Sequence, residues 1–206
     1  MCIIATKPYG VTTFDWAIIK RCFDNNNDGA GFAFSVAGDK HLRYRKGFMT
    51  YSSLKTALEK LVIDRYDLSS VQLLLHFRIT THGGTRPENT HPFPISADND
   101  RLKGLKGRAD VLCAMNGIVD VDIPKGSDMS DTMHYIKERL PMLKALRTDF
   151  FRHKMFKDFI LDTGAKWVFM DVNGMENFGA FNEADGWHYS NYSWDELSGW
   201  NYVELS

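Results

Sequence analysis

Apolar residues recur along this chain with two alternating periods. CIIAT (Cys2 to Thr6), β-branched and closed by Pro8 and Gly10, reads as a buried strand with Cys2 at its tip. Over Phe14 to Phe23 the spacing turns helical: Trp16, Ile18, Ile19, Cys22 and Phe23 share one face, and Thr12 or Thr13 can cap the helix. The turn cluster Asn25 to Gly31 leads into Phe32 to Val36. That run pairs with His41 to Phe48 as an antiparallel hairpin around Gly38-Asp39. A second helix, opened by Ser52 or Ser53, covers Leu54 to Tyr66 with Leu54, Ala57, Leu58, Leu61 and Val62 on its apolar face.

Val71 to Ile79 is nearly all apolar, as a strand covered on both faces should be, and it places Arg78 at its end. Thr80 to Asp100 holds Gly83-Gly84, Pro87, Pro92 and Pro94 and reads as one long loop, a length usually reserved for functional segments. Val111 to Val119 is another buried strand, Ser127 to Leu140 a helix, and Lys144 to Asp162 one more helix or two. Strands then follow at Lys166 to Val172, Asn177 to Asn182 and Trp187 to Trp194, divided by Asn173-Gly174 and Asp185-Gly186 turns.

Length and composition narrow the function classes. A chain of 206 residues fits one domain, expected here to span 1–206, and 44% hydrophobic with 25% charged residues is ordinary for a globular protein. No apolar run approaches the roughly 18 residues of a membrane span, and no secretory leader is visible, so a cytoplasmic protein is expected. A net charge of −1 gives nucleic acid no electrostatic foothold. Cys2, Cys22 and Cys113 are too widely spaced for a disulfide framework or a structural zinc site, and Cys22 and Cys113 read as core.

Cys2 differs from the other two. Removal of Met1 would leave one residue with both a thiol and an α-amino group, whose ordinary pKa values of about 8.5 and about 8 suit a nucleophile and its own base. A second-position cysteine is also compatible with a small buried hydrophobe. Arg78 offers a rigid fork for a carboxylate, or is a solvated strand end. Asn116-Gly117 can supply a side-chain amide and an N–H to an oxyanion, or merely turn a hairpin.

Taken in order, Met1-Cys2, the Asp28-Gly29-Ala30-Gly31 turn, Arg78, Thr81, His82, Gly83, Asn89, His91, Pro92, Asn116, Gly117 and Asp131-Thr132 resemble the glutaminase domain of the class II glutamine amidotransferases, which are N-terminal-nucleophile hydrolases. The resemblance covers about residues 2–132. Residues 140–206 read as an extension of the same domain, and the chain resembles short, stand-alone phage or bacterial amidotransferase-like proteins. The resemblance implies an α+β fold, a four-layer αββα sandwich of two mainly antiparallel sheets. It also implies catalytic roles for Cys2, Asn116 and Gly117. On that resemblance Cys2 would attack the glutamine amide and form a γ-glutamyl thioester, while Asn116 and Gly117 would hold the oxyanion. Arg78, Thr81, His82 and Asp131 would bind substrate, with Arg78 on the α-carboxylate and Asp131 on the α-ammonium group. His91 reads as a loop-ordering residue. No cofactor or metal enters this chemistry.

Two positions depart from the family pattern. Ile79 replaces an aromatic and Met115 a histidine, which leaves open another γ-glutamyl or amide substrate, or a non-catalytic binding protein of the same fold. The expected partners are L-glutamine or a related amide, with an acceptor enzyme or a second copy of the chain to receive the ammonia. The aromatic tail, Trp187, Tyr189, Tyr192, Trp194, Trp200 and Tyr202, fits a core, but is expected to form a contact surface over the mouth near Thr80 to Asp100.

Overall fold

The computed structural model describes residues 1–80 and 84–196. Thr81, His82, Gly83, Trp200 and Tyr202 lie outside the described residues. Among the described residues, eleven strands form two sheets. The larger sheet takes the order β10 (Asn182–Ala184), β11 (Trp187–Tyr189), β1 (Ile3–Lys7), β4 (Val71–Phe77), β2 (Ala30–Val36), β3 (Leu42–Phe48) and β6 (Lys106–Ala109). The smaller sheet runs β5 (Phe93–Pro94), β7 (Leu112–Asn116), β8 (Lys166–Asp171) and β9 (Gly174–Phe178). Every pairing is antiparallel.

Side-chain alternation builds the layers. In β1, Ile3 and Ala5 pack with Ile19 and Cys22 of α1 (Trp16–Asn25) and Leu54 and Leu58 of α2 (Tyr51–Leu58), while Ile4 faces the other sheet. In β7, Leu112 and Ala114 meet Ile4 and Leu74 between the sheets. Cys113 and Met115 face outward, toward Met133 and Ile136 of α4 (Asp131–Leu146) and Phe156 and Ile160 of α5 (Lys154–Leu161). Period-2 strands with both faces buried therefore give helix, sheet, sheet, helix, the expected αββα order.

Local chemistry shifts several expected boundaries. Asp15, not Thr12 or Thr13, caps α1, its carboxylate accepting from the Ala17 N–H at 2.7 Å. Thr50 caps α2, which ends in a π-helical turn over Glu59–Ile63. Thr80 to Asp100 is not one unbroken loop. It contains a 3₁₀ turn at Pro87–Asn89, the short strand β5 and the start of α3 (Asn99–Lys103). Lys46 ties this segment down: its buried amine donates to the carbonyls of Glu88 (2.9 Å) and Leu102 (2.6 Å) over the Phe93 ring. Asn116-Gly117 is no hairpin turn, since β7 ends there and the chain runs on to α4.

The tail expectation is corrected at two positions, while Tyr192 is 61% exposed. Trp187 and Tyr189 are core residues of β11, 3% and 2% exposed, and not a contact surface. Trp194 stacks on Tyr189 (4.6 Å), and Arg21 and Asn25 of α1 hold the carbonyls of Trp194 and Ser193. Ser193 and Trp194 thus pack on α1, and β11, paired on both sides by β10 and β1, buries its apolar face.

Candidate active site

The tip of β1 meets the end of β4. Ile3 pairs with Phe77, so Cys2 reaches Ile79, whose N–H and carbonyl each lie 3.4 Å from Sγ. Burial raises the thiol pKa, while the Ile79 N–H, the Arg78 guanidinium and the chain's amino terminus oppose the rise. Met1 stands clear of the fold, 84% exposed. Cys22 and Cys113 are buried among apolar side chains, and burial pushes the Cys22 thiol up to about 12, so neither is a competing nucleophile.

Arg78 is locked from two sides. Its N–H donates to the Gly29 carbonyl (2.8 Å), its carbonyl accepts from the Asp28 N–H (3.0 Å), and the Asp28 carboxylate takes the Thr80 N–H (2.8 Å). Its Nη1 donates to Thr80 Oγ1 (3.0 Å) and the Gly84 carbonyl (2.8 Å), so the buried guanidinium also organises the loop. Burial lowers its pKa, opposed by the charges of Cys2, Asp28 and Asp131. The Asp28-Gly29-Ala30-Gly31 turn is required by close approach, because a Cβ on Gly31 would lie 2.1 Å from the His91 carbonyl oxygen.

Asn116 ends β7 with its side chain on the face opposite Met115, and is buried. Gly117 follows at φ +149°, and a side chain there would strike Ala165 at 2.7 Å. Asn89 fixes the next element: its Oδ1 accepts from the Ser130 N–H (3.1 Å) and its Nδ2 donates to the Asp128 carbonyl (2.9 Å). Ser130 caps α4, so Asn89 sets the position of Asp131, which is buried and accepts from the Val119 and Thr132 N–H groups (3.3 and 2.8 Å). His76 and His91 stack at 4.0 Å in the same interior. Burial depresses His76 to about 3 and His91 well below its ordinary value, and His76 Nε2 lies 3.0 Å from the Met115 carbonyl.

The sequence-nominated residues therefore divide. Cys2 and Arg78 lie within electrostatic reach of each other, as do Arg78 and Asp131. Asn116 and Gly117 sit at the end of the neighbouring sheet's strand, and Thr81 and His82 lie outside the described residues. A sequence model of the class II glutamine amidotransferases matches residues 5–117, more than half of the chain, from β1 to the end of β7. The chain belongs to this family. No match was found among curated proteins. The amidotransferase segment so matched begins after Cys2 and ends before Asp131.

The candidate site also contains residues that sequence reasoning missed. Ser190 and Asn191 follow β11, and Asn191 Nδ2 donates to the Cys2 carbonyl at 2.6 Å. The Ser190 N–H donates to the Ile4 carbonyl, and Lys166 Nζ donates to the Ser190 carbonyl (2.9 and 2.5 Å). The β1–β11 pairing brings them to Cys2. Met115, expected to reshape the pocket, instead packs under α4. Among the described residues, no group of three or more His, Cys, Asp or Glu side chains could hold a metal ion, and no helix is long and apolar enough to cross a membrane.

Proposed function

We propose that this amidotransferase hydrolyses the side-chain amide of glutamine through a thioester on Cys2. The observation that carries the reading is the seating of Cys2 Sγ at 3.4 Å from the Ile79 N–H, beside the buried Arg78 cation. Met1 is exposed and available for removal, which would free the Cys2 amino group as base. Sulfur then attacks the amide carbon and gives its proton to that amine. The carbonyl oxygen becomes an oxyanion stabilised by the Asn116 side chain and the Gly117 N–H. The amine returns the proton to nitrogen as the C–N bond breaks and ammonia leaves. Water attacks the thioester, releasing glutamate and restoring the thiol, so the sum is glutamine plus water to glutamate plus ammonia.

Binding follows from charge. A zwitterionic α-amino acid needs one cation and one anion, and Arg78 and Asp131 supply them within mutual electrostatic range. Arg78 already holds the Thr80 and Gly84 loop, so substrate would exchange for or add to those bonds as the loop rearranges. Thr81 and His82 are proposed to complete that wall.

The test is an intact-mass measurement with and without 6-diazo-5-oxo-norleucine, alongside ammonia release from glutamine. The expected result is a chain lacking Met1, one adduct on Cys2, and no ammonia from Cys2→Ala. Asn116→Ala should lower kcat about 100- to 1,000-fold, as loss of an oxyanion donor does. A Met1-retaining protein that hydrolyses glutamine would overturn the terminal-amine mechanism, and an active Cys2→Ala protein would overturn the reading.

A further inference from the structure

Asn116 and Ser190 form a pair that is hidden from solvent, with Ser190 0% exposed. Ser190 Oγ accepts from the Ile4 N–H at 2.9 Å and lies 3.0 Å from Asn116 Nδ2. In this orientation two N–H groups point at the serine oxygen. Asn116 Oδ1 is buried with no hydrogen-bond partner among the described residues. A hydroxyl carries one donor and two acceptor lone pairs, so an arrangement that uses Ser190 only as acceptor leaves its proton unused against a carboxamide whose oxygen is unsatisfied.

A half-turn of the amide about its last side-chain bond exchanges two nearly isosteric ends. Oδ1 then receives the Ser190 O–H, the Ile4 N–H still donates to a lone pair of Ser190 Oγ, and Nδ2 takes the place of the unpartnered oxygen. We propose that Ser190 is the positioning residue that holds the Asn116 amide in this second orientation, so that Nδ2 is the oxyanion donor. The inference rests on the oxyanion role proposed above for Asn116. As negative charge grows on the substrate oxygen, it favours the orientation that offers N–H. The Ser190 O–H bond to Oδ1 then polarises the amide and strengthens that donor. Ser190 reaches this place by the same strand pairing that seats Ile4 beside it, so the donor and the nucleophile's strand are set by one residue.

The experiment is a double-mutant cycle on the full chain: wild type, Ser190→Ala, Asn116→Ala and the double variant, each assayed for kcat and KM with glutamine. Ser190→Ala should lower kcat about ten- to a hundredfold, below the loss from deleting the donor itself. KM and the rate of Cys2 alkylation by iodoacetamide should stay within about twofold, and the double variant should match Asn116→Ala, because Ser190 acts only through Asn116. If removal of the Ile4 partner prevents folding, Ser190→Cys, of similar size but weak hydrogen bonding, carries the same cycle. Fully additive losses, or an unimpaired Ser190 variant beside an impaired Asn116→Ala, would overturn the inference and leave the functional reading standing. An unimpaired Asn116→Ala, or a wild type without glutaminase activity, would overturn the reading and the inference with it.

Discussion

Tyr189 stands directly opposite Ala5 in the β1–β11 ladder, so a strand from the far end of the described chain flanks the strand that carries Cys2. Trp187, in the same strand, packs against Phe14 and donates from Nε1 to the Thr13 carbonyl at 3.0 Å. Trp187→Ala should cost about 3–5 kcal/mol, the usual range for emptying a large aromatic site, read from urea denaturation. A chain ending after Glu183 should fail to fold, since β1 would lose one neighbour and α1 its tail contacts. A cooperative unfolding transition in that shortened chain would contradict this.

The stacked pair of His76 and His91 gives stability a pH dependence. Both are neutral when folded, with His76 depressed to about 3, whereas in the unfolded chain they titrate near about 6.5. Below that value the unfolded state binds more protons, so the stability they contribute is whole above about pH 6.5 and drains as pH falls toward 3. Each histidine should contribute a slope of about 1.4 kcal/mol per pH unit once well below 6.5. Urea midpoints between pH 7 and 4.5 measure it, and His91→Asn should remove about one proton's worth of slope. An unchanged slope would show that His91 titrates normally.

Gly31→Ala tests the close approach behind the Asp28 turn. The added methyl would meet the His91 carbonyl oxygen at 2.1 Å and the Lys46 Cβ at 2.6 Å, contacts that neither backbone nor core can relieve locally. A loss of about 3 kcal/mol or more is expected, at the upper end of overpacking costs. Melting within a degree or two of wild type would mean that the strands part freely there.

Asn89→Ala separates placement of Asp131 from folding. The Ser130 N–H would lose its acceptor and the Asp128 carbonyl its donor, at about 1–3 kcal/mol for a buried unsatisfied group. If Asp131 holds the α-ammonium group of glutamine, KM should rise more than kcat falls. Equal KM values at matched folded fraction would remove Asp131 from substrate binding.

Much of the fold was legible because buried strands and amphipathic helices leave strong periods, as in Val71–Phe77 and Trp16–Asn25. The edge strand Lys106–Ala109 was not, because three of its four residues are exposed and show no alternation. Phe93–Pro94 is too short to carry a period at all. The helix over Asp131–Leu146 runs through Pro141 where a stop was expected at Leu140, since Leu140 and Leu143 on either side pack into the core and outweigh one lost backbone bond. Within the site, Cys2, Arg78 and Asn116 stood out as unusual residue types at strand ends. Ser190 and Asn191 could not, because single polar residues in an aromatic-rich stretch acquire meaning only through a pairing that spans the chain.

The position of β1 between β4 and β11 has a consequence for synthesis on the ribosome. The amino end emerges first, but its second neighbouring strand is translated almost last among the described elements. Through most of translation the tip of β1 therefore lacks the bond from Asn191 to the Cys2 carbonyl. The Cys2 thiol is thereby fixed in its seat late, only when β11 docks and Asn191 closes on the Cys2 carbonyl.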